Sequence, residues 1–291
     1  MSHDDVSAAP PVVIDTVAGV RSAVEAWRAS GETVALVPTM GSLHAGHLAL
    51  VDRAAALADR VVVSVFVNPL QFGPSEDFER YPRSLDADRA LLVGHGVDAV
   101  FAPHADEMYP TGAALTRVTA GEIGRRYEGA ARPGHFDGVL TVVAKLLGIV
   151  TPHVVLFGEK DAQQVFLVTR MVRDLDIDTR VEVVDTVRDH DGLALSSRNA
   201  YLDERHRRAA RAIPAAIEAA QSAADRGIDA ALAAAQSALA GRPEVDVDYV
   251  AVVDPATFDL VPDDHRGAAR MLVAARVGDT RLIDTALIPL A

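Results

Sequence analysis

The chain contains no cysteine. That excludes disulfide cross-links, thiolate nucleophiles and cysteine-rich zinc sites, and removes any pointer to an oxidising compartment. Long apolar runs are also missing, since none approaches the roughly 20 residues of a membrane-spanning helix. The opening residues, MSHDDVSAAPPVV, lack the positive segment and sustained apolar stretch of a secretory signal. Basic charge is scarce: 28 Lys and Arg stand against 41 Asp and Glu, a formal net charge of −13. A surface of that sign does not suit general nucleic-acid or anionic-membrane binding. The absences together favour a cytoplasmic enzyme acting on small molecules, with neither nucleic acid nor membrane as a partner.

What is present is ordinary globular material, 291 residues with 49% hydrophobic and 24% charged, enough for one large domain or two modest ones. Residues 34–52, VALVPTMGSLHAGHLALVD, organise the rest. An apolar run from Val34 to Val37 ends in Pro38, turns through Gly41 and enters an apolar-periodic segment with Leu43, Leu48 and Val51, the pattern of a buried strand feeding a helix. His44 and His47, three apart, would share one helix face, with Gly46 between them open to close approach. At a helix N-terminus, unpaired backbone N–H groups and the helix dipole favour phosphate, and imidazoles add donors. The pair therefore reads as a triphosphate site. The alternatives are a zinc pair, for which no third ligand stands at an obvious spacing, or structural histidines.

Along the chain, residues 1–12 read as a polar tail. Residues 16–30 form a helix ended by Gly31, residues 60–67 a strand buried on both faces, and residues 84–94 a helix capped by Ser84 with Asp86 and Asp88 in its first turns. Strand 97–101 and an interrupted stretch, 103–134, of loop and short helix come next. They are followed by helix 136–150 stopped by Pro152, strand 153–157, helix 161–175 and strand 180–187. Strands alternating with helices imply right-handed crossovers and a Rossmann-like open parallel sheet with helices on both faces, an α/β fold whose ligands sit at strand carboxyl ends. After residue 188 the pattern changes. Two alanine-rich helices, 203–224 (kinked by Pro214) and 229–240, precede strands 245–253, 270–277 and 281–288, with Gly278-Asp279 as a hairpin turn. The expected division is a nucleotide- and acid-binding domain over 1–187 and a smaller α+β C-terminal domain over 188–291 that covers the active site.

Three further blocks carry chemistry. Gly158-Glu159-Lys160-Asp161 follows a strand directly, so Lys160 can offer an ammonium to the α-phosphate or pyrophosphate. Glu159 and Asp161 support magnesium or nucleotide, or simply cap the helix. Leu195-Ser196-Ser197-Arg198-Asn199 gathers two hydroxyls and a guanidinium, suited to phosphate oxygens, with a serine-capped surface turn as the bland alternative. Gln71 and Gln164 lie beside strand-end motifs as neutral amides able to donate to a carboxylate or hydroxyl. Residues 73–83 read as a lid or an ordinary surface loop, and Arg132-Pro-Gly-His135-Phe136 as structural or interface residues.

His44-Ala-Gly-His47 after a strand resembles the HxGH signature of nucleotidyltransferases related to class I aminoacyl-tRNA synthetases. The longer string PTMGSLHAGH, with NPLQFG, FGEKDAQQ and LSSRN in order, resembles the pantothenate synthetase family, the ligases that join pantoate to β-alanine. The resemblance implies ATP as substrate with Mg2+, an adenylate intermediate and a homodimer. It also implies that Met40, Gly41, Ser42, Leu43, His44, Ala45, Gly46, His47, Gly158, Glu159, Lys160, Asp161, Val187, Leu195, Ser196, Ser197 and Arg198 bind ATP. His47, His44 and Lys160 would be catalytic, Gln71, Gln164, Pro38 and Met40 would hold pantoate, and Gln71 would also meet β-alanine. Two positions depart from the family pattern: Leu195 replaces the usual Met, and Ala162 stands where relatives often carry an aromatic. The competing readings are an HxGH nucleotidyltransferase with a phosphate-bearing acceptor, which would want additional Lys or Arg, and a catalytically silent nucleotide-binding protein.

Overall fold

The structure is a computed structural model that describes residues 10–74, 78–112 and 114–291. The tail expected over 1–12 falls mainly on residues 1–9, and the centre of the loop at 73–83 on residues 75–77, both outside the described residues. The chain divides into two compact units, one running to Gly158 and including Leu167–Val184, the other made of Glu159–Phe166 and Asp185–Ala291.

The first unit carries a six-stranded, all-parallel sheet. Its strands are β1 (Val12–Ile14), β2 (Val34–Thr39), β3 (Arg60–Val65), β4 (Ala99–Phe101), β5 (Val154–Gly158) and β6 (Arg180–Val184), in the order β1-β4-β3-β2-β5-β6. The connecting helices are α1 (Val17–Ala29), α2 (Ala45–Ala55), α3 (Leu85–Leu92), α4 (Ala105–Met108), α5 (Glu128–Ala131), α6 (His135–Val150) and α7 (Ala162–Asp174), the last beginning in the second unit. Val34, Ala35, Leu36 and Val37 are fully buried, as a central parallel strand covered on both faces requires. After β2 the chain winds outward to β3 and β4, then returns to β5 on the other side of β2. The switch in strand order therefore lies between β2 and β5, where such sheets open a crevice at their carboxyl ends.

The second unit packs α8 (Glu204–Ala210), α9 (Ala212–Ala223) and α10 (Ile228–Leu239) with an antiparallel sheet of β7 (Val245–Val253), β8 (Gly267–Val277) and β9 (Thr280–Leu290). Ala212, Ala216, Ala220, Ala231 and Ala235 are all fully buried, so the alanine richness is an interface that lets helix backbones approach closely. The β8–β9 turn uses Gly278 at φ 56°, where a Cβ would meet the His206 ring at 2.8 Å.

Several local expectations need correction. Strand β1 is a three-residue edge element whose sequence is too short to announce itself and which depends on pairing with β4. The alanine-rich helix at 203–224 is broken at Arg211 rather than kinked within one rod: Pro214, in the first turn of α9, has no N–H for the Ala210 carbonyl, so α8 stops at Ala210. Ser84 occupies the N-cap position of α3 but makes no side-chain cap bond, and Asp88 turns elsewhere, as described below.

Candidate active site

The sequence-predicted residues fall into two sets, one on each unit. In the first unit the loop after β2 is fixed by side-chain contacts to its own backbone. Thr39 Oγ1 donates to the Ser64 carbonyl at 2.7 Å and accepts from Gly41 N at 3.2 Å. Gly41 and Ser42 then take positive φ, 82° and 53°, a pair of left-handed residues that points successive N–H groups to one side. Asp88 fills that concavity: its carboxylate accepts from Ser42 N at 3.0 Å and Leu43 N at 2.7 Å. Burial raises the Asp88 pKa, against the lowering effect of those two amides. The sequence places Asp88 in the first turn of a helix, and nothing in the pattern shows that it serves a loop 46 residues earlier.

His44 and His47 do not share a helix face as expected. His44 is the extended N-cap of α2, at φ −147°, and His47 is the third helical residue. The two form a reciprocal cap: Gly46 N donates to His44 Nδ1 at 3.2 Å and His44 N donates to His47 Nδ1 at 3.2 Å. A backbone N–H can only donate, so each Nδ1 presents its lone pair and each neutral ring carries its proton on Nε2. The rings lie 4.1 Å apart and tilted by 39°. Sequence spacing alone shows two imidazoles; the capping geometry turns them into two Nε2–H donors of fixed tautomer at the carboxyl end of β2.

Gln71 ends a 3-10 turn, Pro69–Gln71, that follows β3. It is buried, with Nε2 3.0 Å from Met40 Sδ and Oε1 accepting from Asn68 Nδ2 at 3.1 Å. Its backbone carbonyl accepts from His135 Nδ1 at 2.8 Å and Arg132 Nη2 at 3.3 Å. The Arg-Pro-Gly-His string is thus an internal brace for Gln71. Gly138 lets α6 pass close behind, where a Cβ would sit 2.2 Å from the Leu70 carbonyl. Asn68, absent from the sequence-based candidates, belongs to this group, and its tight side-chain network was not visible in local pattern. Phe78 and Tyr81 of the loop that follows pack edge-on against Phe72, at 5.4 and 6.0 Å.

In the second unit, Glu159–Asp161 forms a 3-10 turn leading into α7. Glu159 is engaged by Arg270 Nη2 at 2.9 Å, and Lys160 Nζ lies 3.8 Å from Asp161 with its side chain only 19% exposed. Gln164 is half-buried in the first turn of α7, beside the buried Gln163 and Ala162. Leu195 N donates to the Val187 carbonyl at 3.0 Å, Ser196 Oγ accepts from Arg198 N at 3.3 Å, and Asn199 Nδ2 reaches the Ala194 carbonyl at 3.0 Å. Ser196 therefore caps the 3-10 turn Ser197–Tyr201, so the bland reading of this block is also true of it. The strand-like turn before it is tied down by ions. Arg188 forks onto the buried Asp284 at 2.6 and 3.0 Å, and Arg207 spans Asp189 and Asp191. Hydrogen bonds from His190, with Arg207 beside it, hold the Asp189 carboxyl at a pKa of about 2.

The comparisons with known proteins agree with one another. A family model described as pantoate-beta-alanine ligase matches residues 12–287. The pantothenate synthetase of Leifsonia xyli subsp. xyli is 55% identical over 278 residues, which cover 96% of each chain. That of Rubrobacter xylanophilus is 49% identical over 96% of this chain and 99% of its own. Among solved structures, the pantothenate synthetase of Thermus thermophilus superposes with a TM-score of 0.89 at 50% identity, covering 94% of this chain and 98% of that one. The pantoate-beta-alanine ligase of Francisella tularensis, complexed with beta-gamma ATP and beta-alanine, gives 0.79 at 33% identity over 95% and 97%.

Proposed function

This chain belongs to the pantoate-beta-alanine ligase family, and from that membership we propose how its residues carry the reaction. It is an ATP-dependent ligase that joins pantoate to β-alanine as pantothenate. In the proposed sequence, a pantoate carboxylate oxygen attacks the α-phosphorus of ATP, pyrophosphate leaves, and pantoyl adenylate forms. The β-alanine amine then attacks the acyl carbon, AMP departs with the former carboxylate oxygen, and the amine loses a proton. No residue becomes covalently attached, because the adenylate is itself the activated acyl group. The protein's tasks are alignment, charge neutralisation and exclusion of water.

The observation that carries the assignment is the two-histidine cap of α2 at the carboxyl end of β2, beside the switch in strand order. Two neutral Nε2–H groups of fixed tautomer are suited to phosphate oxygens and to the charge that builds on them in the transition state. We assign His44 and His47 to the triphosphate together with Met40–Leu43, Ala45 and Gly46. Gly158–Asp161, Val187 and Leu195–Arg198 complete the ATP contacts, with Lys160 as the cation for the α-phosphate or the leaving pyrophosphate. Gln71, Gln164, Pro38 and Met40 are assigned to pantoate, and Gln71 also to β-alanine. Uncharged amides favour a small hydroxy acid over a phosphate-bearing acceptor.

Magnesium is proposed to arrive with the triphosphate as part of the substrate. Among the described residues no three His, Cys, Asp or Glu side chains gather to hold a metal ion. Glu159 is engaged by Arg270 at 2.9 Å and Asp161 more loosely by the Lys160 ammonium at 3.8 Å, which makes Asp161 the carboxylate of that turn better suited to a metal-bound water. No helix among the described residues is long and apolar enough to cross a membrane. A cytoplasmic homodimer is proposed on composition and family analogy, and sedimentation of the purified chain tests the dimer.

The direct test is exchange of labelled pyrophosphate into ATP with magnesium, with and without pantoate, before β-alanine is added. Pantoate-dependent exchange that is lost in His47→Ala and Lys160→Ala is the expected result. Folded protein that binds ATP yet exchanges nothing in the presence of pantoate would overturn the adenylate route.

A further inference from the structure

The polar groups behind Gln71 constrain one another more tightly than its ligand role requires. Asn68 is 1% exposed. The Leu70 N–H, which can only donate, reaches Asn68 Oδ1 at 3.3 Å, and the Gly138 carbonyl, which can only accept, receives Asn68 Nδ2 at 3.1 Å. These two backbone groups give the Asn68 amide a single orientation. Since Oδ1 is the acceptor, the Tyr109 hydroxyl 2.8 Å away must donate to it, and since Nδ2 is the donor, Gln71 Oε1 at 3.1 Å must accept. Gln71 is thereby turned with its carbonyl toward Asn68 and its NH2 group toward Met40, whose sulfur at 3.0 Å is the only acceptor it has among the described residues. A thioether is a weak acceptor, so the amide is held as a donor ready for a stronger oxygen.

We propose that Tyr109 is a positioning residue for the pantoate subsite: by donating to Asn68 Oδ1 it holds in place the amide whose polarity the Leu70 N–H and the Gly138 carbonyl set, and so steadies Gln71 as a donor to the hydroxy acid. This rests on the assignment of Gln71 to pantoate. The Tyr109–Asn68 contact is the shortest link in the chain, and without it Asn68 Oδ1 would keep only the longer bond from Leu70. Tyr109 is itself buried, and burial pushes its phenol pKa up to about 12, so the hydroxyl keeps its proton at neutral pH. Its ring is independently seated, 6.1 Å from the Phe66 ring and with the Lys145 ammonium 5.7 Å over its face. Removing the hydroxyl alone therefore separates orientation from packing.

The test is steady-state kinetics of the full chain for all three substrates in Tyr109→Phe and, as a packing control, Lys145→Met, with the thermal midpoint of each. Loss of one buried neutral hydrogen bond in Tyr109→Phe is expected to raise the KM for pantoate about threefold to tenfold and to leave the KM for ATP within about twofold. Lys145→Met, which loosens the ring but keeps the hydroxyl, is expected to lower the thermal midpoint without changing the KM for pantoate. An unchanged KM for pantoate in Tyr109→Phe, an equal rise for all three substrates, or an equal rise in both variants would overturn the positioning role. A wild-type chain whose rate ignores pantoate would instead overturn the function on which the role rests.

Discussion

The two units hold their candidate residues by different physics. In the first, the loop after β2 and the turn at Gln71 are held by backbone amides, neutral amide chains, reciprocal imidazole caps and the His135 and Arg132 bonds to an uncharged carbonyl, with one buried carboxylate, Asp88, that faces amides rather than a cation. In the second, the turns carrying Lys160 and Ser196–Arg198 are held by guanidinium–carboxylate pairs: Arg270 with Glu159, Arg188 with Asp284, and Arg207 with Asp189 and Asp191. Neutral hydrogen bonds fix geometry to a few tenths of an ångström and ignore salt, whereas paired ions at partly exposed positions respond to ionic strength and pH. One chain thus combines a salt-indifferent frame for its imidazoles with an ion-braced frame for its ammonium and hydroxyls.

The largest test of that contrast compares His47→Ala with Lys160→Ala. Both are expected to lower the exchange rate by about 10² to 10³. Only His47→Ala should also lower stability, by about 1 kcal/mol, because His47 caps α2. Equal stability loss in both variants, read by urea unfolding, would dissolve the distinction. Next comes Asp284→Ala, which strands the Arg188 fork. A loss of about 2 kcal/mol is expected, below the range for a fully buried pair because the Arg188 side chain is 32% exposed. Amide hydrogen exchange should place that loss in the second unit and leave β2 and β3 protected.

Asp88→Ala removes the acceptor of two loop amides and is expected to cost roughly 1 to 2 kcal/mol. The KM for ATP should rise in the same variant, while salt should leave the difference unaltered. The smallest effect is in acid and has opposite signs in the two units. The Asp88 pKa is raised by burial, so between its ordinary value of 3.8 and its folded value the native state holds a proton that the unfolded chain has released. Stability from Asp88 therefore falls as pH rises through that interval. The Asp189 pKa is lowered to about 2, so its contribution is complete above 3.8 and is lost as pH falls through 2. Thermal midpoints measured from pH 2 to 5 should show a steeper acid loss in Asp88→Asn and a shallower one in Asp189→Asn. Parallel curves would show that the two carboxylates do not differ in kind.

Much of this was legible along the chain because it depends on local pattern. The Val-rich runs at β2 and β3, Gly31 after α1 and the Gly278 turn each carry their instruction within a few residues. The long helix α6 and the alternation of strand and helix did so as well, and the order of blocks exposed the family. What stayed hidden depends on partners far apart in sequence. Strand β1 has three residues and exists through its pairing with β4, and Asp88 reads as a helix-start acid until the loop it serves is folded beside it. The His44–His47 spacing suggested a shared helix face, because spacing cannot say where a helix begins. Asn68 and Tyr109 looked unremarkable, since their value lies in a hydrogen-bond chain spanning 41 residues.

The sequence by itself determined the class of fold, the family and the residue types at the site, because hydrophobic period and motif order are one-dimensional properties. Tertiary structure alone decided which nitrogen of each imidazole carries the proton, which end of the Gln71 amide faces Met40 and which carboxylates meet cations. Those properties are set by the directionality of hydrogen bonds, and a donor has no direction until the chain has brought its acceptor within about 3 Å.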